Sequence, residues 1–234
     1  MNVIRPTCRS QFSEEDFNFI LGALGSDGDE CFLHELLIDP ETRDLILDHE
    51  NLAVAILDNP GCIHISPHLY FYVLVRQTMK RTGIDDRELT DYVAEVLAAF
   101  LHPDSPGRSL PAQVRDSSYL FEMFAALQGA DEPTSFQIRA HIGNRSLFLT
   151  GMFLEHLKER TRRRGAPDIT YYEQMGAASF RAASRNRLAD KFELAAVYNA
   201  LGDCFHETRL ALNKIADRHL MMGDPPPPAG LFLN

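Results

Sequence analysis

The stretch LAAVYNALGDCFHETRLALNKIADRH, residues 194–219, decides the fold. A set of mostly apolar side chains recurs in it at alternating steps of four and three residues: Leu194, Tyr198, Leu201, Phe205, Thr208, Leu212, Ile215 and His219. A seven-residue repeat of this kind places these side chains along one face of a helix, and that face is buried in a bundle. We therefore predict a long C-terminal core helix within an all-α, multi-helix, bundle-like globule.

The segments that lead up to this helix carry the start and stop signals of further helices. A Ser or Asp at the start of a helix accepts hydrogen bonds from free backbone N–H groups, and Gly or Pro ends a helix. These signals predict helices over residues 117–128, 134–164 and 168–184. Gly143-Asn144 is a point at which the second of these helices can break.

The first half of the chain contains the same signals. They predict helices over residues 13–24, from 29 to just before 39, from 39 onward, over 52–57 and 66–82, and from 85 or 86 to 101. Residues 69–75 form an unbroken apolar run, for which a buried strand is the alternative. Ser66-Pro67 before the run and Gly83 after it favour a helix that is buried on all sides.

The composition is that of an ordinary globular protein. The 234 residues are 45% hydrophobic and 24% charged, with a net charge of −10, and this negative charge argues against bulk binding of nucleic acid. No apolar run has the length of a membrane span or of a signal peptide. The cysteines are scattered, as is usual in a reducing compartment: Cys8, Cys31, Cys62 and Cys204. We predict a cytoplasmic protein with neither a membrane nor a specific nucleic acid as its partner.

The domain organisation is predicted as one all-α domain over residues 1–234. Residues 103–112 are rich in Pro and Gly and form the best candidate for a linker. A subdivision would therefore give N-terminal helices at 1–102, a C-terminal helical core at 113–222 and a Pro-rich tail at 223–234.

The charge is unevenly spread, because residues 1–60 are acidic and residues 158–191 are basic. The basic segment predicts a weak anion-binding site, made of Arg162, Arg163, Arg164, Arg185 and Arg187. A solvated helix end is the favoured alternative, since cations stabilise the C-terminal end of a helix dipole.

Two stretches, residues 141–153 and 168–180, place glycine inside a helical pattern. Each such glycine costs about 1 kcal/mol relative to alanine, so something has to compensate for it. Close packing of helices is the favoured explanation. A small ligand cavity is the alternative, lined by His141, Tyr171, Tyr172 and Met175.

The metal-ligating residue types do not form a complete site. Cys62, His64 and His68 lie close together, but the remaining ligands would have to be assumed. Asp203 and His206 on the last helix do not repeat on a second helix, as a di-iron site requires. We predict no metal and no cofactor.

The segments Gly143 to Phe153 (Gly-x-x-x-Leu-Phe-x-x-Gly-x-Phe) and Tyr171 to Gly176 (Tyr-Tyr-x-x-Met-Gly) resemble a pattern of an uncharacterised family of bacterial helical proteins. The resemblance covers the second half of the chain. It implies a bacterial, cytoplasmic protein and no particular chemistry.

The tail joins a proline run, residues 225–228, to Leu231, Phe232 and Leu233. These apolar residues are expected to dock in a groove of the same chain or on a second copy in a homodimer, with a frayed tail as the alternative. As the function we predict a non-enzymatic binding or interaction protein. The alternative is a small-molecule- or metal-dependent enzyme with its site in the bundle and catalytic residues unknown.

Overall fold

The computed structural model describes residues 3–25, 39–58, 64–101, 110, 114 and 119–219. All regular secondary structure in these residues is helical, and none of them forms a strand. This confirms the prediction of an all-α, multi-helix fold. The helix predicted over 29–38, the tail and nearly all of the predicted linker lie outside the described residues.

The helices follow one another through short connections. After a 3₁₀ helix at Cys8–Gln11 come α1 (Glu14–Leu24), α2 (Pro40–Leu47), α3 (Glu50–Asp58), α4 (Pro67–Arg81), α5 (Arg87–Leu101), α6 (Leu120–Ala126), α7 (Glu132–Met152), α8 (Leu154–Arg164), α9 (Ile169–Ser184), α10 (Arg187–Lys191), α11 (Ala195–Asp203) and α12 (Phe205–His219). None of the described helices combines the length and the apolar character that a membrane span needs.

Four of the predicted helix starts are confirmed by their cap geometry, whereas the helix predicted from residue 134 begins at Glu132, with Asp131 as its cap. The side chains of Ser13, Asp39 and Ser66 each accept a hydrogen bond from the backbone N–H three residues later, and Asp168 does the same for α9. Such a bond satisfies one of the backbone donors that a helix start leaves free. The run at 69–75 lies inside α4, whose sides are nearly all buried, so the helical alternative is correct there.

The chain packs as two compact units, Pro6–Ala98 and the residues from Ala99 onward together with the first five residues. In the first unit, α3 packs against both α1 and α4, and the 3₁₀ helix packs on α4. The boundary after Ala98 falls inside α5, a few residues before the predicted linker.

Asp16 joins the starts of two helices in the first unit. Its carboxylate is fully buried and accepts hydrogen bonds from the backbone N–H of Ser13 at 2.8 Å and from that of Ser66 at 2.6 Å. The hydroxyl of Ser66 donates to the same carboxylate at 2.6 Å. One negative charge therefore complements the N-terminal ends of both α1 and α4.

In the second unit, α7 and α9 run antiparallel at very close range. A β-carbon on Gly143 would come within 2.7 Å of the Phe180 ring, and one on Gly176 within 2.8 Å of the β-carbon of Ser146. The glycines inside these helices are thus sites of close packing. Helix α7 also runs through Gly143-Asn144 without a break.

The break in the helix predicted over 134–164 occurs instead at Phe153, between α7 and α8. There the side-chain amide of Asn213 donates hydrogen bonds to the carbonyls of Thr150 and Gly151, both at 2.8 Å. A side chain from α12 therefore satisfies carbonyl groups that the end of α7 leaves without a helical partner.

The long C-terminal helix is shorter than the sequence predicts, because Cys204, with ψ at 28°, separates α11 from α12. The hydrogen bonds continue through this residue, from its N–H to the Ala200 carbonyl and from the Thr208 N–H to its own carbonyl. The predicted seam is nevertheless buried at each described side chain: Leu194, Tyr198, Leu201, Phe205, Thr208, Leu212 and Ile215. The seven-residue repeat predicts which face of the helix is buried. It does not predict a local distortion at one residue.

Candidate binding pocket

The first unit contains a pocket of about 440 Å³, which we call the Arg76 pocket. It is lined by charged side chains only: Asp48, Arg76, Asp85, Asp86, Arg87 and Glu88. Asp48 ends α2, Arg76 comes from α4, and the others come from the connection to α5 and from its first turn. Gly83 turns this connection with φ at +87°, a conformation that suits glycine.

Arg76 is the most buried member of the pocket, with 2% of its side chain exposed. Its Nε donates to Asp48 Oδ1 at 2.6 Å, and its Nη2 donates to Asp48 Oδ2 at 3.0 Å. The same Nη2 donates to Asp85 Oδ1 at 2.5 Å. Nη1 is buried and has no hydrogen-bond partner among the described residues. Two strong N–H donors of a fixed guanidinium are therefore unused.

Asp48 holds Arg76 in place and is itself held on several sides. Its carboxylate also receives Arg87 Nη2 at 3.1 Å and Lys80 Nζ at 3.5 Å, and its backbone carbonyl receives the amide of Gln77 at 2.8 Å. Burial alone would raise the pKa of Asp48, but the hydrogen bonds and charges of Arg76, Lys80 and Arg87 outweigh burial and lower it.

Arg76 likewise stays charged in its buried position. Burial would lower the pKa of its guanidinium, but the hydrogen bonds to Asp48 and Asp85 raise it above its ordinary value. The central pair of the pocket is thus ionised across the physiological pH range.

A second arginine, Arg9, extends this network behind the pocket. Its guanidinium donates to both oxygens of Asp44, at 2.8 and 2.9 Å, to Glu88 at 2.8 Å and to Asp91 at 3.0 Å. Arg87 Nε lies 4.0 Å from Asp44 as well as close to Asp48. A continuous chain of opposite charges therefore runs from the 3₁₀ helix to the pocket and fixes its walls.

The ligand cavity predicted in the second unit is not assembled as expected. Because α7 and α9 run antiparallel, His141 of α7 lies opposite residue 181 of α9. Tyr172 of α9 lies opposite residue 150 of α7. These two positions are about 14 Å apart along α7. His141 and Tyr172 are buried, and Tyr171 and Met175 are partly buried.

His141 packs in the core rather than facing a cavity. Its ring stacks on that of Phe100, with the centroids 6.3 Å apart, and its Nε2 is buried with no hydrogen-bond partner among the described residues. Burial, and secondarily the charge of Arg145, lower the pKa of His141 to about 3. The imidazole is therefore neutral at physiological pH and suits packing better than proton transfer.

The structure does not bring the five predicted anion-binding arginines together. Arg162, Arg163 and Arg164 end α8, whereas Arg185 and Arg187 follow the far end of α9, which has 16 residues and is about 24 Å long. Several of these arginines are already paired nearby. Arg162 and Arg163 pair with Glu159, and Arg187 lies 2.6 Å from Glu132.

The histidines considered as metal ligands are placed separately. His64 is exposed, and His68 Nε2 lies 3.7 Å from the carboxylate of Glu95. Cys62 lies outside the described residues. Within the described part of the chain, no three His, Cys, Asp or Glu side chains are grouped as a metal site would require.

The sequence patterns do not predict the Arg76 pocket, although one residue points to it. Arg76 directly follows the apolar run 69–75 in a helix buried on nearly all sides. A charged residue in such a position is almost never buried without a partner. It therefore predicts a buried ion pair, but the sequence does not say with which residue.

Comparisons with known proteins identify no relative. The chain matches no protein-family model, and no curated protein or solved structure shows significant similarity to it. The resemblance to a family of bacterial helical proteins stays a prediction, and the functional argument depends on the pocket itself.

Proposed function

We propose that this chain is a non-enzymatic binding protein and that the Arg76 pocket is its binding site. One observation carries the proposal: a buried arginine that lines the pocket is held by Asp48 while its Nη1 has no hydrogen-bond partner among the described residues. A buried donor without a partner is costly, so a ligand acceptor that reached it would gain a strong hydrogen bond. The pocket has a volume of about 440 Å³, is open to solvent and is lined by charge, so it suits a small charged molecule rather than an apolar one.

The charges of the pocket favour binding over catalysis. A general acid or base works best when its pKa is near the working pH. The surroundings of Asp48 and Arg76 move their pKa values away from neutrality, to lower and higher values respectively. Fixed charges of this kind recognise and orient a ligand. The alternative of an enzyme with its site among α7 and α9 is disfavoured by the neutral, packed imidazole of His141.

The test is a titration of the full chain followed by ¹⁵N NMR, with acetate, methylamine, phosphate and glycine as probes. We expect at least one probe to shift the backbone amides of residues 84–88 saturably. Arg76→Lys keeps the positive charge but loses the planar fork, so it should abolish the shifts. Arg81→Lys, at the exposed end of the same helix, should leave them intact.

Two results would refute this function. The first is the absence of saturable shifts at residues 84–88 with every probe, or their persistence in Arg76→Lys. The second is chemical conversion of the bound probe, which mass spectrometry after long incubation would detect. Such conversion would favour the alternative hypothesis that the protein is an enzyme.

We also propose a cytoplasmic location in a bacterium and association with a second copy or another protein. The cysteines support the location, since neither Cys8 nor Cys204 forms a disulfide among the described residues. Exposed apolar side chains on α2 and α3 support association, because Leu45 is 66% and Val54 is 51% exposed. Sedimentation of the protein and of Leu45→Lys/Val54→Lys would show whether these residues mediate self-association.

A further inference from the structure

We propose that the ligand of the Arg76 pocket is a zwitterion of the amino-acid type. Its carboxylate takes the place of Asp85 on Arg76, and its ammonium group contacts Asp86 and Glu88. This inference rests on the proposed binding function and names the chemical class of the ligand.

The two carboxylates that contact Arg76 differ. Asp48 makes two hydrogen bonds to the guanidinium and has 12% of its side chain exposed. Asp85 makes one hydrogen bond and is 73% exposed. Because one partner of this pair lies in solvent, it contributes less to stability than a pair buried on both sides. Asp85 can therefore leave while Asp48 keeps the guanidinium in position.

An incoming carboxylate would bind Arg76 better than Asp85 does. Asp48 occupies the side of the guanidinium formed by Nε and Nη2. The end formed by Nη1 and Nη2 is used by Asp85 only at Nη2. Nη1 is covered in this structure, so a free carboxylate accepts from both nitrogens only when the departure of Asp85 uncovers Nη1. It then has the bidentate geometry that arginine and carboxylate prefer.

The charges that line the pocket constrain the charge of the ligand. Four carboxylates and two guanidiniums line the pocket, so a plain anion would be repelled even after Asp85 turns away. Asp86 uses one oxygen to cap α5 through the N–H of Leu89, and Glu88 uses one to accept from Arg9. Both side chains are exposed, and each carboxylate has a second oxygen. An ammonium group beside the bound carboxylate would meet these acids.

The test compares three ligands that differ in one charge at a time. L-Alanine carries both charges, L-alaninamide lacks the carboxylate, and N-acetyl-L-alanine lacks the ammonium group. Isothermal titration calorimetry of the full chain should show binding of L-alanine and at least tenfold weaker binding of the other two. Removing the competing charge with Asp85→Asn should tighten L-alanine binding about two- to fivefold, the worth of an exposed ion pair.

The matched control is Asp58→Asn, which removes the same charge from the exposed end of α3 and should leave the affinity unchanged. Equal L-alanine affinity in Asp85→Asn and Asp58→Asn would overturn the inference. So would binding of L-alaninamide as tight as that of L-alanine.

Failure of this inference can be told apart from failure of the proposed function. If acetate, methylamine or phosphate shifts the amides of residues 84–88 but L-alanine does not bind, the ligand class is wrong and the binding function stands. If no probe and no alanine derivative binds, the binding function falls as well.

Discussion

Asp48 and Arg76, which are 28 residues apart in sequence, form a bidentate ion pair, with Nε–Oδ1 at 2.6 Å and Nη2–Oδ2 at 3.0 Å. The pair joins the end of α2 to α4, inside a wall of the pocket. Because Arg76 is buried, it depends on this partner for its charge to be tolerated. Removing one partner of a buried pair leaves an uncompensated charge, which costs more than the pair itself contributes.

The first prediction is that Asp48→Asn lowers the free energy of unfolding by about 3 kcal/mol, the lower end of the range for breaking a buried ion pair, because Asp85 still pairs with Arg76. Urea denaturation followed by circular dichroism measures this change. Asp58→Asn is the control and should stay within about 0.5 kcal/mol of the unchanged protein, as exposed substitutions do. A comparable loss in both variants would show that net charge, and not the pair, is responsible.

The second prediction concerns pH and His141. The folded state lowers the pKa of His141 to about 3, mainly by burial, against about 6.5 in the unfolded chain. Between these values only the unfolded chain binds the proton, so the stability that His141 contributes is present above pH 6.5 and is lost as the pH falls. Between pH 7 and pH 4, the unchanged protein should therefore lose about 3 kcal/mol of unfolding free energy relative to His141→Phe.

Guanidinium denaturation of both proteins across this pH range measures the shift. His141→Phe suits the comparison because the new ring can stack on Phe100 as the imidazole does. Parallel pH profiles for the two proteins would contradict the burial of a neutral imidazole.

The third prediction uses two glycines that lie inside helices in different surroundings. Gly176→Ala should destabilise the protein by about 1–3 kcal/mol, because the new β-carbon would collide with Phe205 and Ser146. Gly22→Ala in α1 should stabilise it by up to about 1 kcal/mol, because nothing lies within 4 Å of the new β-carbon and alanine favours a helix. Thermal unfolding should give a lower melting temperature for Gly176→Ala and a higher one for Gly22→Ala. A change of the same sign in both variants would contradict the close packing of α7 and α9.

The fourth prediction tests the buried seam of α11 and α12. Leu212→Ala should cost about 2–5 kcal/mol, the usual range for a leucine that is fully buried. Leu210→Ala is the control from the same helix, since Leu210 is 39% exposed, and it should cost much less. Chemical denaturation compares the two, and similar losses would mean that the seam does not define the core.

The features that the sequence predicted are those set by neighbouring residues. Ser13, Asp39, Ser66 and Asp168 cap helices through bonds that reach only three residues along the chain, so the helix starts could be predicted. The buried seam of residues 194–215 could be predicted because it is a pattern within one segment.

The candidate site could not be predicted, because it depends on distances between segments. Arg76 signals a buried charge, but only the folded chain brings Asp48 and Asp85 to it. The arginines of residues 162–187 looked like a cluster because they are close in sequence, and the length of α9 separates them. The division at Cys204 also escaped prediction, since the repeat continues through it.

The shared carboxylate of Asp16 has a consequence for local unfolding. Its oxygens serve the start of α1 and the start of α4, which lies 50 residues later. Because Asp16 belongs to α1, opening of the first turn of α1 would take the acceptor away from Ser66 at the start of α4 as well as from Ser13. The amides of Ser13 and Ser66 should therefore exchange with deuterium through one concerted opening, and Asp16→Ala should speed the exchange of both.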